Sequence, residues 1–75
     1  VYVSDRGNHS IRKIDVNGNV STIAGNGSAG YVDGLQSIAQ FNNPNGLAID
    51  AGGNIYVADG ANHSIRKITP EGMVS

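Results

Sequence analysis

The heptapeptide NHSIRKI occupies residues 8–14 and returns unchanged at residues 62–68. The similarity extends further, because residues 1–21 and 55–75 align at an offset of 54 positions with 13 of 21 residues identical. Self-similarity at a period of tens of residues is typical of repeat proteins, in which each unit buries apolar surface against its neighbour. The sequence therefore predicts a repeat architecture, and its 75 residues cover about 1.4 periods.

Short β-rich runs separated by turns surround the repeated heptapeptide. In the second unit, strands are predicted over residues 46–50 (GLAID), 55–59 (IYVAD) and 64–69 (SIRKIT), with a fourth beginning at Met73. Residues 19–24 (NVSTIA) of the first unit show how that fourth strand continues. The glycine, asparagine and proline between the runs are typical turn residues. Four short strands joined by tight turns predict an antiparallel meander.

The predicted strands carry apolar residues on both faces. Alternation along a strand puts Ile55 and Val57 on one face and Tyr56 and Ala58 on the other. A sheet with one face in water shows a cleaner alternation of apolar and polar residues, whereas sheets stacked around an axis are covered on both sides. We therefore predict an all-β fold of four-stranded propeller blades, and interpret the chain as a fragment of a larger propeller.

Residues 25–45 form a long link between the two units. Its first half is rich in glycine, while Ile38, Ala39 and Phe41 are predicted to anchor its second half, with one helical turn. Connections of this length are uncommon unless they pack or function, so we expect the link to pack against the end of the blade. The predicted organisation is residues 1–24 as strands two to four of one blade, residues 25–45 as the link, and residues 46–75 as the next blade with its last strand truncated.

The first unit has no counterpart of the strand predicted at residues 46–50. Its edge at residues 1–5 is therefore expected to carry unpaired backbone groups, which recruit other strands. The apolar residues predicted to be exposed on the outer blade faces are Val1, Tyr2, Val3, Ile55, Tyr56 and Val57. Because repeat units gain much of their stability from neighbours, we expect flanking blades of the same protein to complete the propeller, with other copies or a partner's strand as the alternative.

The composition disfavours several classes of protein. Charged residues make up 15% of the chain and the net charge is −1, which predicts neither a nucleic-acid partner nor an anionic membrane surface. No apolar run approaches the roughly 20 residues of a membrane-spanning helix. The absence of cysteine excludes disulfides and zinc sites with thiolate ligands.

Residues 43–68, NPNGLAIDAGGNIYVADGANHSIRKI, resemble the NHL repeat, the β-propeller blade motif named for its Asn-His-Leu tripeptide. The pairs Asn8-His9 and Asn62-His63 match the first two letters, and Ser64-Ile65 replaces the usual leucine step. Residues 30–44 look like the extended subtype of large extracellular and bacterial surface proteins. The resemblance implies a blade of a propeller with about six blades, located outside the cell or on its surface. It leaves the function open, since such propellers bind ligands, act as scaffolds or sensors, and occasionally catalyse reactions.

Four polar residue types recur at the same place in both units. They are Asp5, Asn8, His9 and Arg12 in the first unit, and Asp59, Asn62, His63 and Arg66 in the second. The aspartate ends a strand, where it is placed to accept hydrogen bonds from the turn or to pair with the arginine of the next strand. We predict a structural tie in each unit. The alternative is a ring of carboxylates at one end of the propeller.

Two features leave a metal site as an alternative. A lyase branch of the resembled family holds zinc through propeller histidines, but here no third ligand follows at metal spacing, so we predict that the histidines are hydrogen-bonded within their turns. Residues 15–19 and 50–54 resemble calcium loops but are too short and lack the bidentate glutamate. Asp, Asn and Gly are also what hairpin turns require. The sequence therefore predicts no metal and no cofactor.

No nucleophile or carboxylate pair lies beside a general base in the predicted strands and turns. The sequence therefore predicts a non-enzymatic module that binds a protein or small ligand, or acts as a scaffold, within a larger extracellular or surface protein. Two alternatives remain. One is a zinc-dependent lyase, and the other is an RNA-binding propeller that presents residues 12–13 and 66–67 as a basic stripe.

Overall fold

A computed structural model describes all 75 residues of the chain. The fold is all-β, as predicted, with antiparallel pairing throughout and two single-turn 3-10 helices at Arg6–Asn8 and Gly60–Asn62. The eight strands are β1 (Tyr2–Asp5), β2 (Ser10–Ile14), β3 (Val20–Ala24), β4 (Gly34–Leu35), β5 (Pro44–Ile49), β6 (Ile55–Asp59), β7 (Ser64–Ile68) and β8 (Met73–Val74). No helix is long and apolar enough to cross a membrane.

The strands form two sheets that follow the two sequence units. The first sheet has the order β1-β2-β3, and the second has the order β4-β8-β7-β6-β5. Strands β5 to β8 are the predicted four-stranded meander of a propeller blade. Strand β5 begins at Pro44, two residues before the predicted start, and its pairing with β6 is irregular between Pro44 and Leu47.

The link contributes a fifth strand to the second sheet, which the sequence analysis did not anticipate. Within residues 25–45, β4 pairs with β8 through Gly34 opposite Val74 and Leu35 opposite Met73. A single turn follows β4, closed by the N–H of Ala39 donating to the carbonyl of Leu35 at 2.9 Å. The link therefore crosses from the first sheet to the outer edge of the second, and returns along the second sheet to β5.

The core lies between the two sheets, with part of the link inside it. Residues directly opposite in an antiparallel pair share a face, so the register puts Ile55 and Val57 on the face that packs against the first sheet. Both are buried, and their predicted exposure on an outer blade face was wrong. The buried apolar cluster consists of Ile11, Ala24, Ala39, Phe41, Ile55, Val57, Ile68 and Val74.

The anchor of the link is smaller than predicted. Ala39 and Phe41 are fully buried, but Ile38 is 55% exposed because the turn after β4 directs it to solvent. At the other end, the link leaves the first sheet at Gly25, whose φ is +101°. A Cβ there would lie 2.6 Å from the carbonyl oxygen of His9, so only glycine allows the link to start so close to the turn of the first unit.

Candidate functional site

The second unit buries a charged cluster formed by Asp59, Asn62 and Arg66, which we call the arginine clamp. Asp59 ends β6, and the 3-10 turn after it returns the chain as β7, so that Arg66 lies on the same face as Asp59. Arg66 Nη1 donates to Asp59 Oδ2 at 2.8 Å, and Asn62 Nδ2 donates to the same oxygen at 2.8 Å. Both charged side chains are almost fully buried. A buried ion pair of this kind depends on further hydrogen bonds to offset its desolvation.

The link supplies those further hydrogen bonds. Arg66 Nη2 donates to Asp33 Oδ1 at 2.7 Å and to the carbonyl of Val32 at 2.9 Å, while Nη1 also donates to the carbonyl of Gln40 at 2.9 Å. The backbone N–H of Asn42 donates to Asp59 Oδ1 at 2.7 Å. The carboxylate of Asp59 and the guanidinium of Arg66 thus form hydrogen bonds both within the sheet and with the link.

Two aromatic rings of the link lie against the same guanidinium. The guanidinium carbon of Arg66 is 4.5 Å from the ring centre of Tyr31 and 5.0 Å from that of Phe41. At these distances each ring face attracts the cation. Asn62 extends the contact by donating to the carbonyl of Gly30 at 2.9 Å. The arginine clamp therefore holds residues 30–42, a loop that contains β4 and the turn after it, on the face of the second sheet.

The first unit contains the same three side chains without the link. Arg12 Nη1 donates to Asp5 Oδ2 at 3.3 Å and Asn8 Nδ2 donates to that oxygen at 2.9 Å. The side chains of Arg12 and Asp5 are each 30% exposed, against 1% for Arg66 and 0% for Asp59. The same motif thus exists in a covered and an uncovered form within one chain.

The sequence predicts the pairing of the aspartate with the arginine but not their partners in the link. Tyr31, Asp33 and Phe41 lie 25 to 35 residues before Arg66, and no local pattern connects them to it. One signal was available, because Asp33 is the only charged residue in residues 25–45. A lone charge in an otherwise neutral link, two residues after a tyrosine, is suited to pair with an opposite charge on the blade.

The rings of the motif histidines were predicted to form hydrogen bonds within their own turns, but they do not. His9 ends its 3-10 turn in the left-handed conformation, with φ of 52°, and the backbone closes that turn through the N–H of His9 and the carbonyl of Arg6. The ring is therefore free to reach the next unit, where His9 Nδ1 accepts the backbone N–H of Asn43 at 3.1 Å. His63 adopts the same conformation, with φ of 51°, and is exposed.

We expect His9→Ala to destabilise the chain more than His63→Ala, by about 1 kcal/mol, the net contribution of one hydrogen bond. Both variants put alanine in a left-handed position, so that this strain cancels in the comparison. The amide of Asn43 should exchange its hydrogen faster in His9→Ala only. Urea titration and amide hydrogen exchange measure both effects. Equal destabilisation by the two variants would mean that the contact between His9 and Asn43 contributes nothing.

The turns that resemble calcium loops are closed by their own aspartates. Asp50 Oδ1 accepts the backbone N–H groups of Gly52 and Asn54, each at 2.9 Å, and Oδ2 accepts Asn54 Nδ2 at 3.0 Å and the hydroxyl of Tyr56 at 3.0 Å. The side-chain and backbone bonds from Asn54 are the main cause that lowers the pKa of Asp50 from 3.8 to about 2. Asp15 repeats the pattern with Asn17 and Asn19, and its pKa is also lowered.

We expect Asn54→Ala to raise the pKa of Asp50 toward 3.8, and Tyr56→Phe to raise it less, since the tyrosine bond is the smaller effect. The bonds favour the ionised carboxylate, so their contribution to stability is complete above pH 3.8 and is lost as the pH falls through about 2. NMR titration of the Asp50 carboxyl carbon measures the shift. A titration midpoint for Asp50 that is the same in Asn54→Ala as in the parent chain would contradict this assignment.

A polar cleft opens between the first sheet and the link. Its volume is about 580 Å³, and nine of its ten lining residues are polar or glycine. Arg12 and Thr22 line it from the sheet, and Asn26 and Gln36 line it from the link. Guanidinium, hydroxyl and amide groups of this kind donate and accept hydrogen bonds without providing a nucleophile with an adjacent base. The cleft is therefore suited to hold a polar group.

The observed contacts bear on the alternatives of zinc and RNA binding. Nδ1 of His9 accepts a hydrogen bond from a backbone N–H, so that nitrogen is engaged and is not oriented toward a metal. Arg66 is buried in the arginine clamp, and Arg12 pairs with Asp5. The two arginines of the predicted basic stripe thus form ion pairs, whereas its two lysines, Lys13 and Lys67, form none.

The family model of the NHL repeat matches residues 41–68, which include the whole β5-β6-β7 meander and its arginine clamp. Residues 41–68 form an NHL repeat. It is similar to Protein SUPPRESSOR OF QUENCHING 1, chloroplastic, of Arabidopsis thaliana, with 46% identity over 69 residues, which cover 91% of this chain and 6% of the plant protein. The NHL chain described here thus spans a small part of the length of this relative.

The chain is also similar over 99% of its length to several solved structures, among them two from Bacteroides species. A structural genomics protein of unknown function from Bacteroides thetaiotaomicron gives a TM-score of 0.90 at 35% identity, covering 99% of this chain and 19% of that protein. An auxiliary nutrient binding protein from Bacteroides ovatus gives 0.78 at 28% identity, covering 99% and 21%. This NHL chain therefore has the fold of β-propeller blades and corresponds to about a fifth of each of these proteins.

Proposed function

We propose that this chain is a non-catalytic binding or scaffold module within a larger NHL propeller, in which residues 1–24 and 46–75 belong to neighbouring blades. The polar cleft beside Arg12 is the observation that carries the proposal. The polar side chains of the cleft can form hydrogen bonds with a ligand. In the second unit, the buried carboxylate of Asp59 accepts hydrogen bonds from Asn42, Asn62 and Arg66. Asp59, Asn62 and Arg66 then have a structural role, holding the link on the second sheet, and do not take part in catalysis.

The outward face of the second sheet supports the scaffold part of the proposal. Ala48, Tyr56, Ala58 and Ile65 line a shallow apolar groove on that face. Ile65 is 72% exposed, whereas its counterpart Ile11 is fully buried between the sheets. Exposed apolar patches on soluble proteins mark interaction surfaces. A neighbouring blade, packed as the first sheet packs on the second, fits this face.

We further propose a location outside the cell or on its surface for the parent protein. The similarity to an auxiliary nutrient binding protein of a Bacteroides species supports a role in binding a nutrient. The plant relative, by its name, is a chloroplastic protein. The location is tested by assaying the culture medium of the source organism for the larger protein and by surface biotinylation of intact cells. Labelling of the larger protein only after the cells are lysed would contradict the proposed location.

The binding proposal is tested by NMR titration of the chain with glucose, N-acetylglucosamine and N-acetylglycinamide as hydrogen-bonding probes. We expect a probe to shift the amides of Gly25, Gly27 and Ser37, which line the cleft, and to be recovered unchanged. Thr22→Ala should weaken the effect and Ser21→Ala should not, because these neighbours on β3 lie on opposite faces of the sheet. Chemical conversion of a probe, or no shift in the cleft with any probe, would contradict the proposal.

A further inference from the structure

Asparagine is followed directly by glycine at three places in the chain, residues 17–18, 26–27 and 45–46. In such a pair the backbone nitrogen of the glycine can attack the side-chain amide of the asparagine, because glycine has no Cβ to block the approach. The reaction is intramolecular, so its rate depends on how the fold holds the reacting atoms. The three pairs lie in different environments, and the structure therefore distinguishes between them.

The pair at residues 26–27 leaves the reacting groups accessible. Asn26 and Gly27 are exposed, and neither the backbone N–H of Gly27 nor Nδ2 of Asn26 donates a hydrogen bond within the chain. Oδ1 of Asn26 accepts the backbone N–H of Ser28 at 2.9 Å. Negative charge develops on this oxygen when Cγ is attacked, and a backbone N–H already directed at the oxygen stabilises that charge.

The backbone that follows Asn26 is also loosely held. The N–H of Asn26 donates to the carbonyl of Ala39 at 3.0 Å, and the next backbone hydrogen bond along the chain runs from the N–H of Gly30 to the carbonyl of Phe41 at 3.1 Å. Residues 27–29 between them form no hydrogen bond with another backbone group. The peptide group of Gly27 can therefore rotate toward the preceding side chain without breaking the contacts of the link.

The pair at residues 17–18 is protected by the aspartate of its turn. The N–H of Gly18 donates to the backbone carbonyl of Asp15 at 3.1 Å, so the attacking nitrogen is engaged. The carboxylate of Asp15 accepts the backbone N–H of Asn17 at 2.9 Å and therefore lies beside the reacting groups. Its negative charge opposes the negative charge that the attack would create.

The pair at residues 45–46 lies inside β5. On either side of it, Pro44 pairs with Asp59 and Leu47 pairs with Val57, so the sheet holds the backbone before and after the pair. Ring closure requires the peptide group between the two residues to rotate, and the paired strand resists this rotation. Neither of these two pairs therefore has the freedom of the pair in the link.

We propose that Asn26 is a site of spontaneous deamidation through a cyclic imide formed with Gly27. The nitrogen of Gly27 loses its proton to water and forms a bond to Cγ of Asn26, while the side-chain amide leaves as ammonia. Water then opens the imide. Attack of water at Cγ leaves aspartate, whereas attack at the backbone carbonyl leaves isoaspartate, in which the chain continues through Cγ. The net reaction consumes water and releases ammonia, and it does not rest on the proposed binding function.

Either product changes the beginning of the link. A carboxylate at residue 26 adds a negative charge to the lining of the polar cleft, in which Arg12 is the one charged side chain. Isoaspartate also lengthens the backbone by one carbon directly after the N–H that donates to Ala39. The modification therefore alters the charge of the cleft and the path of the link as the protein ages.

The test is storage of the unmodified chain at neutral pH, followed by peptide mapping with mass spectrometry and enzymatic methylation of isoaspartate. We expect a carboxyl group to form at residue 26 at least about tenfold faster than at residue 17, since only Asn26 has a donor at its developing charge. The product at residue 26 should contain isoaspartate. In urea that unfolds the chain, the two residues should react at similar rates, because each is then an asparagine before glycine in solvated chain.

Asp15→Ala is the matched variant, because it removes the carboxylate beside Asn17 and leaves residues 24–30 unchanged. It should raise the rate at residue 17 and leave the rate at residue 26 as it is in the parent chain. The proposal is overturned if residue 26 stays intact in the folded chain while it reacts in urea, or if residue 17 of the folded parent chain reacts as fast as residue 26. Formation of aspartate without isoaspartate would also overturn it, since direct hydrolysis of the amide bypasses the imide.

Discussion

Asp59→Ala is expected to destabilise the chain by about 3–5 kcal/mol, because it leaves the buried guanidinium of Arg66 short of its main counter-charge. The side-chain amide of Asn62 would lose one of its two acceptors, and the backbone N–H of Asn42 would lose its acceptor. This loss is of the order of the entire stability of a small domain. We therefore expect the variant to be largely unfolded at 25 °C, as measured by circular dichroism in a urea titration.

The first unit provides the control for this experiment. Asp5→Ala removes the same residue from the same motif, but there the ion pair is partly exposed and has no link against it. Partly exposed pairs contribute at most about 1 kcal/mol, so we expect Asp5→Ala to remain folded. Similar midpoints for the two variants would show that burial by the link adds nothing to the ion pair.

Phe41→Ala is expected to cost about 3–5 kcal/mol, the usual range for a buried phenylalanine. Its ring lies in the cluster between the two sheets and also against the guanidinium of Arg66. The substitution thus leaves a cavity in the core and also removes one of the two rings that contact Arg66 of the arginine clamp. We expect the amides of β4 and of residues 36–41 to lose protection from hydrogen exchange before those of β6 and β7.

Ile38→Ala is the matched control within the link. The side chain lies three residues before Phe41 but is mostly exposed, and surface substitutions usually change stability by less than about 0.5 kcal/mol. Thermal melts of the two variants against the parent chain separate the cases. If Ile38→Ala destabilised as much as Phe41→Ala, the packing described for the link would be incorrect.

The strands could be predicted from local patterns, but the pairing of the link could not. Residues 55–59 form β6 with the predicted bounds, because a run of β-branched and aromatic residues between glycine-rich turns carries its own signal. Gly34 and Leu35 carry none, since two residues are too few for alternation, and they become a strand only because β8 offers a free edge. Ile38 and Phe41 are both large apolar residues of the link, so the sequence does not distinguish them. They differ in the structure because the turn after β4 exposes Ile38 and buries Phe41.

The candidate site divides in the same way. The pairing of Asp59 with Arg66 follows from one hairpin, seven residues apart, and was accessible from the repeat alone. The bonds from Arg66 to the link span 26 to 34 residues, so they depend on how the link crosses the sheet. The role of His9 was also hidden, because its partner Asn43 belongs to the next unit. The unpredicted contacts are thus those between units, where local sequence carries the least information.

The contrast between the two arginines makes the repeat an internal control for blade assembly. Each unit carries the same Asp-Asn-Arg motif, and residues 30–42 cover only the second copy. Asp33, Tyr31 and Phe41 of the link contact Arg66, so the second arginine has partners outside its own hairpin that Arg12 lacks.

The central claim is that one motif is closed over the link in the second unit and open in the first. The most direct measurement is the ¹⁵N–¹H spectrum of the arginine side chains of the unmodified chain at low temperature. We expect separate, slowly exchanging Nη signals for Arg66, whose guanidinium is held by four hydrogen bonds. For Arg12 we expect averaged, rapidly exchanging signals. Averaged signals for both arginines, or slow exchange at both, would contradict it.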